Sequence, residues 1–202
     1  MRWIWTATIA LTLLGCHRTP PVSQLWVTAS SPSGGRAAAA GQLIARWNSG
    51  ERILDQALDL AFEQLDAAKS GKPPPSTEVV PKSMDATAFA GAVLDAVESL
   101  TPKLPMDSEH EFLWMRVGGL ACAASDEALT NGRLAEARSL VFAGGTRWQN
   151  EGYWMTHPSH DGLASVILAA TGERTEAIRR LEDRGDLTGL AADVLAKLKS
   201  GS

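Results

Sequence analysis

The sequence predicts an all-α protein built from antiparallel helix hairpins, and three observations carry that expectation. Apolar residues recur at helical spacing in runs separated by Gly, Pro and Ser. No segment shows the period-two alternation rich in Val, Ile and Thr that a half-buried strand requires. The C-terminal half also repeats itself at an offset of 40 residues, a period that belongs to helical-repeat architectures. An array of roughly six to eight helices is expected.

Composition agrees with a folded body. Of 202 residues, 45% are apolar and 21% charged, values of a globular chain with enough material to bury a core of its own. Nineteen basic side chains against twenty-three acidic ones leave a net charge of −4. That balance supplies no basic stripe for replacing counterions, so generic nucleic-acid binding is excluded as an expectation.

The chain opens with Arg2 and an uncharged run from Trp3 to Leu14, followed by Gly15 and Cys16. Twelve helical residues span about 18 Å, well short of a hydrocarbon core of about 30 Å, so residues 1–15 read as a signal peptide and not a membrane span. Leu13-Leu14-Gly15-Cys16 resembles the lipobox of bacterial lipoproteins, in which an aliphatic residue stands three before the cysteine and a small one immediately before it. Leu14 departs from the pattern, where Ala, Ser or Thr is commoner. The resemblance implies cleavage before Cys16, lipid attachment (diacylglyceryl and acyl, such as palmitate) on that residue, and a location on the periplasmic face of the cell envelope. His17, in place of Asp, implies the outer membrane over the inner one by the family's sorting pattern. Several acyl chains give stable anchoring where one gives only marginal binding. With Cys16 lipidated, Cys122 has no partner within the chain, and its apolar surroundings Leu120-Ala121-Cys122-Ala123-Ala124 predict a small buried hydrophobe.

Residues 16–35 carry Pro, Ser and Gly without sustained periodicity and read as a flexible tether, leaving 36–202 as the helical domain. Trp26 is the one tether residue without a linker's character, and docking on the domain would account for it. Helices are expected at 37–69, with the clearest part at 51–69, where Leu54, Leu58, Ala61, Phe62 and Leu65 share a face until Ser70-Gly71 and the following prolines end it. Phe89, Val93, Ala96, Val97 and Leu100 repeat that spacing before Thr101-Pro102. Ser108-x-x-Glu111 is a capping-box pattern opening a helix over 109–129, whose apolar side is read as Phe112, Leu113, Val117, Leu120, Ala121 and Ala124. Shorter helices follow at 133–143, 161–170, 174–184 and 188–199.

The 40-residue offset pairs Trp114-Met115 with Trp154-Met155, Ala124-Ser125 with Ala164-Ser165, Gly132 with Gly172, and Glu136-Ala137 with Glu176-Ala177. Small residues let a partner helix approach, the glycine makes a turn, and the glutamate sits near the positive end of the next helix. Two helix–turn–helix hairpins are therefore expected, at about 114–140 and 154–180. Their order of small pair, turn glycine and Glu-Ala resembles the tetratricopeptide repeat. The period of 40 in place of 34, Ala128 and Leu168 where that family carries an aromatic, and the missing closing proline depart from it. The resemblance implies a stack of hairpins with a face for peptides or partner proteins, and since two hairpins alone are too few for a stable solenoid, the preceding helices must extend the packing.

Chemistry-bearing residues are sparse. Thr156-His157-Pro158-Ser159-His160-Asp161 places two imidazoles and a carboxylate close together, a donor set that zinc, copper or nickel accepts. Pro158 works against a shared helical presentation, and Ser159 or Asp161 has an ordinary use as a helix N-cap. No phosphate loop, dinucleotide fingerprint or nucleophile elbow occurs, and no cofactor is expected. Asp55, Asp59, Glu63 and Asp66 form an acidic stripe, read either as a solvated face or as a docking surface for a basic partner, such as Arg174, Arg179, Arg180 and Arg184 within the fold or on a second copy. Trp148, Tyr153 and Trp154 suit either helix packing or an interface. The leading expectation is a non-enzymatic, membrane-anchored scaffold that binds an envelope protein or peptide. The alternatives are a metal-dependent enzyme using His157 and His160, and a small-ligand carrier with an interhelical pocket at Trp114 and Trp154.

Overall fold

The computed structural model describes residues 20–31, 34–73, 85–100, 108–143, 158–185, 187 and 189–201. Among the described residues there are nine helices and no strand: α1 (Val22–Ala29), α2 (Arg36–Asn48), α3 (Ile53–Lys69), α4 (Ala86–Leu100), α5 (Ser108–Thr130), α6 (Leu134–Ala143), α7 (Pro158–Ala170), α8 (Arg174–Arg184) and α9 (Leu190–Ser200). The chain is an all-α array of helix hairpins. From α3 onward the helices fall where the apolar period and the Gly/Pro punctuation predict them, within a few residues at their ends, and the stretch expected at 37–69 is divided into α2 and α3 at residues 49–52.

The additional helix is α1, within the stretch expected to be a flexible tether. Eight residues are too few for a helix to persist alone in water, so its stability comes from packing. Leu25, Trp26 and Ala29 are buried, with Trp26 wholly so and its ring 5.7 Å from that of Phe89 in α4. Arg46 of α2 donates to the Pro20 carbonyl at 2.9 Å and fastens the segment from the other side. Residues 16–35 are therefore not one tether: α1 belongs to the body.

The core runs along the stack in three successive zones. The largest joins α1 to α5 around Trp26, Leu43, Ile44, Leu58, Phe89 and Trp114. A second, around Ala128, Ala137, Val141, Ala164 and Ile167, joins the end of α5 to α6 and α7. The third holds Leu181, Ala191 and Val194 in α8 and α9. A core that passes from each helix pair to the next is the arrangement that repeat arrays share. Helix α9 ends the described array with Asp193, Lys197 and Lys199 exposed, the polar outer face that a terminal element requires.

The 40-residue repeat is visible atom by atom. At the end of α5, the Arg133 amide donates to the Ala128 carbonyl (2.8 Å) and the Gly132 amide to Leu129 (3.0 Å). At the end of α7, Glu173 donates to Leu168 (2.8 Å) and Gly172 to Ala169 (3.1 Å). Both are Schellman closures, and both need a left-handed residue, which Gly132 (φ 73°) and Gly172 (φ 87°) supply. Ala124, Ser125 and Ala137 of the first hairpin are fully buried, as are Ala164, Ser165 and Ala177 of the second. The hairpins are joined by Arg138 of α6, which donates to Thr171 at 2.9 Å and pairs with Glu173 in the second turn.

Candidate functional site

A cleft lies where the end of α2 and the start of α3 meet the first turns of α5. Its volume is about 380 Å³, and Trp47, Arg52, Asp55, Glu109, Phe112 and Arg116 line it. A space at the lower end of the range for ligand sites suits one or two side chains of a partner.

Its floor is built around Asp55. That carboxylate accepts the Trp47 indole N–H at 3.1 Å through Oδ2 and the Arg116 guanidinium at 2.6 Å through Oδ1. Arg116 also donates to the Asp55 carbonyl (3.1 Å) and to the carboxylate of Asp59. A guanidinium held by three acceptors loses little freedom per bond, so Asp55 and Arg116 fix the indole and both helices together. Behind it, the His110 ring meets Trp47 edge-on at 5.3 Å and donates through Nε2 to Asn48 Oδ1 at 3.0 Å.

The rim is open to solvent. Phe112 is 59% exposed, and Met115, one turn along α5, is 52% exposed. Arg52 lies across the mouth, its guanidinium 5.1 Å from the Trp47 ring centre, 3.0 Å from Glu109 and 3.8 Å from Asp55. It occupies the N-cap position of α3 without a capping hydrogen bond. A Ser, Thr, Asp or Asn there would stabilise the helix by about 1 kcal/mol more. A cation at the positive end of a helix forfeits a further ~0.3–1 kcal/mol.

The acidic stripe of α3 thus splits: Asp55 and Asp59 meet Arg116, and none of the four arginines proposed from sequence. Two of those, Arg180 and Arg184 of α8, converge instead on Asp161 of α7, which is 6% exposed; Arg180 Nε lies 3.6 Å from it and Arg184 closer. Arg180 also stacks over Phe142 of α6 at 5.6 Å, with Arg138 over the same ring at 5.5 Å. Asp161 is therefore no N-cap. The helix begins at Pro158, whose fixed φ suits a first helical position, and Asp161 projects from its first turn into the hairpin.

His160 is buried next to it and turned away from solvent, its Nε2 donating to the Val141 carbonyl at 3.2 Å. Burial holds its pKa below the usual imidazole value; the bond to Val141 works the other way, and the Arg180 and Arg184 charges add to the lowering. With Nε2 committed to α6, the ring's lone pair lies on the buried Nδ1, 3.8 Å from the Asp161 carboxylate. His157 lies outside the described residues, as do Trp148, Tyr153, Trp154 and the segment Leu13-Leu14-Gly15-Cys16. Trp114, expected to line an interhelical pocket, is 2% exposed and belongs to the core. Among the described residues, no group of three His, Cys, Asp or Glu side chains is placed to hold a metal ion, and no helix is long and apolar enough to cross a membrane. Cys122 is partly buried, and burial pushes its thiol up to about 12, far from a reactive thiolate at neutral pH.

Sequence reasoning missed the cleft. Phe112 was expected on the core side of α5 and stands on the outer one, while Trp47, Arg52, Glu109 and Arg116 carried no motif. One local signal was present: the helix after Asn48-Ser49-Gly50 begins at Arg52-Ile53 without a capping side chain. No family model matches the chain, and neither a curated protein nor a solved structure matches it.

Proposed function

We propose that this protein is a lipid-anchored scaffold of the bacterial envelope, without catalytic activity, whose helical array binds a segment of a protein partner in the cleft between α2, α3 and α5. The observation that carries the binding half is the exposed Phe112 lining a cleft whose floor is already fixed by Asp55 and Arg116, with Met115 also exposed one turn along α5. Large apolar side chains at the edge of a preorganised polar cleft are what interfaces use as anchors. The anchoring half rests on Leu13-Leu14-Gly15-Cys16 and on His17, which favours the outer membrane.

The burial of Trp26 alters the geometry of that anchoring. With α1 part of the body, only five residues separate Cys16 from Val22, a span of at most about 20 Å when extended. The array is held close to the lipid surface. Intact-mass measurement of the protein purified from its membrane tests the anchoring: the expected mass is that of a chain starting at Cys16 plus diacylglyceryl and acyl groups. An unmodified chain, or one cut elsewhere, would overturn it. The binding half is tested by crosslinking from position 112.

A further inference from the structure

The contents of the cleft indicate what kind of partner it takes, on the reading that it binds a peptide segment. An indole face, Asp55 and Glu109 surround one point, and that point is held by the guanidinium of Arg52. Aromatic face plus carboxylates is the combination that attracts a guanidinium or ammonium group. Arg52 is a weakly held occupant. Its side chain is 52% exposed, it sits at the N-cap of α3 without a capping bond, and its charge opposes the helix dipole. A residue that breaks two local rules at the mouth of a cleft marks a functional position.

Charge points the same way. With Arg52 in place, the cleft and its edge hold three carboxylates, Asp55, Asp59 and Glu109, against two guanidiniums, Arg52 and Arg116. If Arg52 swings into solvent, Arg116 alone faces the three, because its bonds to Asp55 and Asp59 keep it in the floor. Glu63 and Asp66 continue the negative surface along α3, both exposed. Phe112, beside the same point, offers an apolar contact to the neighbouring residue of whatever brings the cation.

We propose that the cleft recognises a basic peptide segment, inserting an arginine or lysine side chain over Trp47 between Asp55 and Glu109 with an adjacent apolar residue on Phe112, and that Arg52 fills this position in the free protein as an internal surrogate. Binding exchanges one cation for another, so Arg52 lowers affinity while keeping the carboxylates paired in the unbound state.

The test is panning of a phage-displayed random dodecapeptide library against the full chain in mild detergent, followed by fluorescence titration of an enriched peptide against variants. Enriched sequences are expected to carry Arg or Lys next to an apolar residue. Glu109→Gln and Phe112→Ala, both at exposed positions, should each weaken binding about tenfold, whereas Arg52→Ala should tighten it several-fold. The rise on removing a cation is the distinguishing result, since a merely structural Arg52 would give no change or a loss. Enriched peptides without a basic residue, or an Arg52→Ala variant that binds no better, would overturn this inference and leave peptide binding standing. No enrichment at all would overturn both.

Discussion

The hydroxyl of Ser125, fully buried in α5, donates to the carbonyl oxygen of Ala137 in α6 at 2.7 Å, and forty residues later Ser165 makes the same cross-hairpin bond to Ala177 at 3.4 Å. The serine therefore does more than keep the helices close. It gives the second helix of each hairpin a donor from the first, at equivalent points of two copies.

Removing the hydroxyl leaves the Ala137 carbonyl without that partner, so Ser125→Ala should destabilise the protein by about 1 kcal/mol. Ser165→Ala should cost less, because its bond is longer. Urea unfolding with an unchanged m-value checks both, and no loss of stability in either variant would mean that the two hairpins are closed by packing alone.

Trp26→Ala should cost about 3–5 kcal/mol, the range for deleting a fully buried aromatic side chain. A Trp26 that merely rides on a linker would give no change in the thermal midpoint. The same variant should open 20–31 to proteolysis before the rest of the chain, since Trp26 is the largest of the three buried side chains of α1.

How much of this was legible depends on how local the cause is. Gly132 and Gly172 announce the two turns because each closure needs a left-handed residue at one position, and Ser70-Gly71 ends α3 for reasons confined to its last turn. Helix α1 offers only two turns of pattern among Pro and Ser, and what stabilises it is tertiary: packing on α2 and the contact of Trp26 with Phe89, more than sixty residues on. Phe112 was placed on the wrong side because α5 packs against α3, α4, α6 and α7. A central helix is apolar almost all round, so its period does not tell the outward side chain from the inward ones. The cleft itself joins Trp47 and Arg52 to Glu109 and Arg116 across 57 to 69 residues, and no spacing rule connects them.

Stability should fall on mild acidification through His160. Its folded-state pKa is lowered by burial below the usual ~6.5, so the unfolded chain takes up a proton first as pH falls. Unfolded protein then binds more protons than native protein, and stability declines below about pH 6.5 until the folded-state pKa is passed. Denaturation midpoints measured at steps from pH 7 to 5 should show this slope in the wild type. His160→Asn should reduce it, and an identical slope in both would contradict the assignment.

Asp161→Asn should be among the most damaging polar substitutions. It leaves the partly buried Arg180 and Arg184 without their shared carboxylate, and breaking one side of such a cluster costs about 3–5 kcal/mol. Replacing Asp161 with Asn changes no volume, so an unaltered thermal midpoint would show that the two guanidiniums reach other acceptors at no cost.

Photocrosslinking in living cells tests most directly whether the Phe112 cleft meets a protein partner at the envelope, as proposed. A benzophenone amino acid is placed at position 112 and, for comparison, at Lys199 on the outer face of α9, both exposed sites on the same molecule. A discrete protein adduct is expected from 112, absent from 199 and lost when Glu109→Gln is added. No adduct from 112, or the same adducts from both positions, would contradict the proposal.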